Sequence, residues 1–230
     1  MNAMKRTTLS LLILLMLLAV SSSCTHHSTG NPSDTPSFNY FPLGTGYSWE
    51  YENFEEVQGE WRSMSTTRRR ILESTVYDGV NGYHSVDSTW NSGRVSGRYT
   101  LRRNEDSNHL ITTTFFEPVT DGDYGSWYDI YHFDVDELGS TWRESSGHDG
   151  SLAYWSLDDA AASVTVPAGT FHGCIVNSYR SLSNAHEQII TYYFALGVGE
   201  VLEVTENWRN GELIWHVRRE LTSYSFADSR

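Results

Sequence analysis

Residues Ser163 to Trp208 read SVTVPAGTF, HGCIVNSYRSL, SNA and HEQIITYYFALGVGEVLEVTENW. Runs rich in β-branched and aromatic residues are cut by Pro167-Ala168-Gly169-Thr170, by a polar link at Ser183-Asn184 and by Gly197-Val198-Gly199. Short runs of this kind, punctuated by Gly and Pro, are strands joined by turns. Working outward toward the C-terminus, Asn210-Gly211 predicts a tight hairpin into a last strand, Glu212–Tyr224. There Leu213, Trp215, Val217 and Leu221 share one parity with Arg219, and Glu212, His216, Arg218 and Glu220 share the other with Ile214. That alternation predicts a core face and a solvent face.

Toward the N-terminus the same grammar continues. Trp49 and Tyr51 alternate with Glu50 and Glu52, and Trp61–Glu73 follows as a strand in which Arg69 faces away from Arg68 and Arg70. Asp78-Gly79 and Asn81-Gly82 are hairpin-turn dipeptides. Further strands are predicted at Tyr83–Trp90, Arg94–Arg103, His109–Pro118, Trp127–Phe133 and Leu152–Leu157, with a glycine-bearing loop between the last two. Asp158–Ala162 is the one hint of helix, and it is too short to stand alone. The expectation is an all-β domain over 38–227. It is a single antiparallel meander sheet of about ten strands, curved into a barrel or half-barrel, with little helix.

Residues 1–23 are set apart. Lys5 and Arg6 precede the apolar run Leu9–Val20, which is short for a membrane span and has a secretory-signal layout. Ser21-Ser22-Ser23-Cys24 resembles the cleavage site of bacterial lipoproteins, although Ser21 stands where that family carries an apolar residue. The resemblance implies acylation of Cys24 and an anchor in the lipid bilayer. His26 in place of Asp implies, by similarity to enterobacterial sorting, the outer membrane. Residues 24–37 are polar and predict a flexible tether of about 20 Å. With Cys24 acylated, Cys174 is left without a disulfide partner.

Cleavage would remove two of the 16 basic residues and none of the 29 acidic ones, leaving a charge of −15 and arginine as the only strong base. Such a surface repels phosphate backbones and anionic lipid, so nucleic-acid binding is not expected.

Three segments, FPLGTGYSWEY at Phe41–Tyr51, VTVPAGTF at Val164–Phe171 and YYFALGVGEV at Tyr192–Val201, are similar to a recurrent set in uncharacterised bacterial lipoproteins. That resemblance implies a curved antiparallel sheet, in some members holding lipid or another apolar ligand, and it supplies no catalytic motif.

Candidate chemistry is sparse. His172 and Cys174 would share a strand face, but a strand is a poor place to expose a thiolate and a buried, inert thiol is favoured. Asp121/Asp123, Asp134/Asp136 and Asp158/Asp159 read as solvated turns without calcium-loop spacing. His84, His109, His132, His148, His172, His186 and His216 show no zinc spacing, and His26-His27 sits on the tether. No catalytic residue, metal or cofactor is assigned. Arg219 stands on the core parity and needs an acceptor, either an internal carboxylate or a ligand carboxylate, and is the candidate ligand-binding residue. The reading favoured is a non-catalytic, lipid-anchored envelope protein binding an apolar or amphipathic small molecule or a protein partner. Carbohydrate recognition by exposed Trp and Tyr rings is the alternative, and a hydrolase with an unrecognised carboxylate pair comes third.

Overall fold

In a computed structural model the chain divides at Ser37/Phe38 into two units. The structure describes residues 40–226 except 78–79, 92–93, 105–108, 116–127, 145–151 and 184, and for 77, 80, 94–104, 109–115, 128–130 and 143–144 it describes the backbone alone. The signal, Cys24, the tether with His26-His27, Asp78-Gly79, Asp121/Asp123, Trp127 and His148 lie outside the described residues.

Twelve strands form one antiparallel sheet: β1 Ser48–Val57, β2 Glu60–Tyr77, β3 Val80–Asn91, β4 Arg94–Asn104, β5 His109–Phe115, β6 Tyr128–His132, β7 Thr141–Glu144, β8 Leu152–Val166, β9 Gly169–Ser183, β10 His186–Ala195, β11 Gly199–Arg209 and β12 Glu212–Ser225. Their order is β6-β5-β4-β3-β2-β1-β12-β11-β10-β9-β8-β7. Every neighbour is consecutive in sequence except β1 and β12, which pair from Ser48/Ser225 to Glu55/Val217. The ladder therefore closes where the domain begins and ends, and opens between β6 and β7 in the middle of the chain. Two strands of only five and four residues occupy those edges, a length that limits further pairing. Asn177 of β9 spans part of the opening. Its fully buried amide donates to the His132 carbonyl at 2.9 Å and accepts from the His132 N–H at 3.1 Å, as a strand neighbour would. The sheet is a curved, unclosed half-barrel.

Local sequence sets the turns. Asn210 and Gly211 both have positive φ, 51° and 81°, as the mirror-image hairpin turn requires, and Gln58 and Gly59 do the same between β1 and β2. Three details differ from the sequence reading. Asn81-Gly82 lies inside β3, paired with Val76 and Thr75, because the connection falls at 78–79. Asp158–Ala162 is strand, in a segment of β8 where the register slips three times and the Asp159 carboxylate accepts from the Ala161 N–H at 2.8 Å. Thr141–Glu144, expected as loop, pairs with β8.

The sheet has two unlike ends. At one, the three segments that carry the family resemblance meet. The Trp49 indole donates to the Val198 carbonyl at 2.6 Å. A Cβ on Gly199 would lie 3.3 Å from the same indole nitrogen, so a side chain there would crowd the ring. The Ala168 N–H of the VPAGTF turn bonds the Leu221 carbonyl at 3.0 Å. Val164, Val166, Ile71, Val201 and Leu221 bury themselves around Trp49 and Tyr51. Beside them Tyr40, Phe41, Tyr131, Phe133, Trp155, Leu157, Ile175 and Phe194 form a second cluster, so this end is filled. At the other end lie the β1–β2, β9–β10 and β11–β12 hairpin tips, where the same inner face is half-buried or open. Leu213 and Trp215, expected in the core, are 41% and 40% exposed there. Trp215 keeps the core parity, paired with Asn207, but stands where the β11–β12 hairpin outruns the material that fills the fold; the register shift between Asn207 and Trp208 pairs Leu213 with Trp208 and takes it off that parity.

Candidate functional site

Between the filled end and the hairpin tips, the inner face carries a chain of charges. Arg69 is buried while Arg68 and Arg70 are exposed, as strand alternation predicts. Its guanidinium makes a two-pronged contact with Asp87 of the neighbouring strand, at 2.8 and 2.9 Å, and a third bond of 2.9 Å to Glu200 Oε2. Glu200 Oε1 accepts from Arg219 Nε at 3.2 Å and from its Nη2. Arg219 Nη2 also donates to Glu203 Oε2. The sequence Asp87–Arg69–Glu200–Arg219–Glu203 thus alternates in sign, with three carboxylates and two guanidiniums.

A β-bulge makes this possible. Phe194 pairs with Glu200 and Tyr193 with Leu202, so Val201 is an extra residue. Two consecutive side chains of a bulge can then lie on one side, and Glu200 and Val201 are both buried, at 1% and 0% exposure. The Glu200 carbonyl accepts from the Tyr51 hydroxyl at 3.2 Å, and the Tyr51 ring lies 5.6 Å from the Arg69 guanidinium and 5.1 Å from that of Arg219.

The carboxyls differ electrostatically. Burial alone would raise Glu200, but Arg219 and Arg69 outweigh it and hold its pKa at about 2. Burial pushes Glu203 up instead. Arg219 offsets this only in part, and the Glu200 charge adds to the rise. Burial would lower Arg219, but Glu200 and Glu203 hold it above its ordinary value. The arginine picked out in the sequence therefore has two internal acceptors, and its side chain remains 17% exposed.

Register places aromatic residues beside this chain. Tyr192 is the direct partner of Glu203 on one side and of Asn177 on the other. Its ring lies 5.1 Å from Tyr131 and 5.8 Å from Trp155, and Trp155 lies 4.9 Å from Tyr179. One step toward the tips, the paired residues Tyr179, Ile190, Thr205, Val217 and Glu55 form the next inner row. Beyond it stand Gln188, Asn207 and the exposed Trp215, whose indole donates to Glu55 Oε1 at 3.0 Å. A shallow recess of about 110 Å³ at the tips is bordered by Gln188, Asn207, Trp208 and Ile214. It is small beside the roughly 300–1,000 Å³ of ordinary small-molecule sites.

Other candidates fall elsewhere. His172 and Cys174 do not share a face. Gly173, at φ 67°, breaks the alternation, leaving His172 exposed on Ser163 Oγ at 3.0 Å and Cys174 buried. Burial pushes the Cys174 thiol up to about 11, which leaves it un-ionised and inert near neutrality. Asp134 caps the 3-10 turn Val135–Glu137 by accepting from the Asp136 N–H. His132 stacks on Trp142 at 3.7 Å and bonds Glu137 at 2.6 Å. On the outer face His216 bonds Glu56 at 2.6 Å, with Trp61 at 4.8 Å and Arg218 over that ring at 4.3 Å. Among the described residues no group of three or more His, Cys, Asp or Glu is arranged to hold a metal. Carbohydrate stacking needs exposed rings; Trp49 is buried, Trp142 is half-buried and Trp90 is 42% exposed.

No family model and no curated protein matches the chain. It is similar at low identity to two solved structures. One is a candidate exported protein with a YmcC-like fold from Bacteroides fragilis NCTC 9343, at 13% identity and a TM-score of 0.48, covering 81% of this chain and 98% of that one. The other is a candidate lipoprotein from Parabacteroides distasonis ATCC 8503, at 15% and 0.42, covering 82% and 99%.

Proposed function

We propose that this chain is a non-catalytic envelope lipoprotein, anchored through acylated Cys24, whose inner face takes up the apolar part of an amphipathic small molecule or of a protein partner. The observation that carries the reading is the contrast along one face. Aromatic and aliphatic side chains fill it from Phe41 to Phe194, whereas the row Tyr179, Ile190 and Val217 is apolar yet only half-buried, with Trp215 open beyond it. Apolar surface left uncovered on a built inner wall gains free energy when covered, roughly 25 cal/mol per Å². The carboxylates that converge here are poor candidates for hydrolysis, because Asp87 and Glu200 spend both oxygens on guanidiniums. The signal-like residues 1–24 support the envelope address, with the outer membrane as the favoured leaflet system.

Nile red offers a direct test. The mature chain should bind it saturably at one site, and Val217→Trp, which fills the open row, should weaken binding at least tenfold. Dye binding that never saturates would remove the reading. Carbohydrate recognition keeps one specific support, the exposed rings of Trp90 and Trp215. A glycan array that lights up for wild type and fades for Trp90→Ala would favour it instead.

A further inference from the structure

Asparagines of the inner face are used in opposite ways. In the filled part, Asn177 spends its amide on the His132 N–H and carbonyl, and Asn53 donates to Ser65 and Thr67. At the hairpin tips the Asn207 Nδ2 is buried with no acceptor among the described residues. A buried donor without a partner is uncommon in native structures and calls for a cause. Its neighbours are in the same condition. Asn207 pairs with Gln188 and Gln188 with Ser181 in one inner row, and His186 pairs with Ser183 in the next. All of these border the recess of about 110 Å³. None of their side chains makes a hydrogen bond to a described residue. The hydroxyls and amides among them can each donate and accept. The carboxylate at the rim, Glu187, is already held by Arg180. Trp215 continues the row beyond Asn207, its indole N–H held by Glu55. The apolar row of Tyr179, Ile190 and Val217 lies two residues back along the same strands, about 7 Å away.

Resting on the reading above, we propose that this recess is the head subsite of the amphipathic ligand, and that the head is neutral and carries vicinal hydroxyls, as a glycosyl or glycerol group does. Turned about its broad terminal torsion, the Asn207 amide presents its donor edge to the recess. One hydroxyl accepts from Asn207 and donates to the Gln188 side-chain carbonyl, and its neighbour is met by Ser181 and Ser183. The Trp215 ring covers the apolar C–H face of the head. The alkyl chain lies along Ile190 and Val217 and ends at the ion chain. An ionic head is the competing class. It would exchange water for hydroxyls and amides with no fixed counter-charge, which is the costlier arrangement.

Octyl β-D-glucoside, 1-monooctanoylglycerol, octanol and octanoate, titrated into the full mature chain by calorimetry at pH 7.5 below their micelle-forming concentrations, separate these cases. The better of the two hydroxyl-rich ligands should bind at least tenfold tighter than octanol and octanoate, and which of the two it is identifies the source of the head. Asn207→Leu removes an amide that has no partner. It should cut that advantage to under threefold, leave octanol binding in place and melt no lower than wild type. Gln188→Met should reduce the advantage by about threefold even where Asn207→Leu folds poorly. Octanol or octanoate binding as tightly as both hydroxyl-rich ligands, or an advantage that survives both variants, overturns the head assignment while leaving the apolar row in use. Methyl β-D-glucoside matching octyl glucoside would keep the head subsite and remove the row. Binding of none would remove both.

Discussion

The two ends of the inner face are built from the same strands and differ in what covers them. At the filled end the chain entry, Tyr40 to Tyr47, turns across the sheet and puts Phe41 5.8 Å from Trp49 and 6.2 Å from Phe194. At the hairpin end no segment among the described residues turns inward, and Ile190, Val217 and Trp215 continue the alternation without a lid. The difference teaches that strand patterning alone does not make a core. Alternation aims the side chains, but a second layer must meet them before their surface leaves water. Glu200, Arg69 and Arg219 lie on the boundary, so the ion chain acts as the floor of the open part and the ceiling of the filled part.

The largest effect should come from breaking that floor. Glu200→Gln leaves two inward guanidiniums short of a charge and should cost about 3–5 kcal/mol in chemical denaturation, as truncated buried pairs do. Arg219→Leu should likewise destabilise, because Glu200 and Glu203 lose their shared donor. Linkage gives the pH signature. Glu200 has a folded pKa of about 2 against 4.5 for the free group, so its contribution is full above pH 4.5 and fades as pH falls toward 2. Glu203 is shifted the other way, so its protonation adds stability as pH falls through its raised pKa. Melts of wild type should therefore drop steeply below pH 4.5, and those of Glu200→Gln should be flatter there. A Glu200→Gln protein as stable as wild type at neutral pH would dissolve the boundary role.

Next in size is the opening between β6 and β7. Asn177→Ala removes both bonds to the His132 backbone, at about 1–3 kcal/mol. Hydrogen exchange at Tyr131–Phe133 should quicken more than at the β1–β12 ladder, and equal quickening would show that Asn177 does not hold the opening. Smallest is the open end. Trp215→Ala should change stability by less than about 1 kcal/mol, because the ring is already in solvent. A larger loss would mean that the hairpin end is packed.

Much of this was legible in the chain. Gly and Pro punctuation gave the strands, Asn210-Gly211 the last hairpin, and parity alone set Arg69 apart from Arg68 and Arg70. The three resemblance segments proved to be one physical unit around Trp49. The ion chain was not legible, for two reasons. Glu200 turns inward only because of a bulge, which has no period to read. On β3 the inner residues are Ser85, Asp87 and Thr89 and the outer ones include Val86 and Trp90, so polarity there runs opposite to the usual sense. Leu213 failed for the same reason as Glu200, a bulge, here at Ile214, that shifts it to the parity of Trp208. Trp215 failed in the complementary way: its parity was right, but sequence does not tell how far a hairpin extends beyond its cover.

Hydroxyl-radical footprinting with residue-level mass spectrometry compares the two ends in one sample. The account predicts rapid labelling of Leu213, Ile214 and Trp215 and strong protection of Phe41, Trp49 and Phe194. Labelling of Trp215 as slow as that of Trp49 in the ligand-free chain would contradict it.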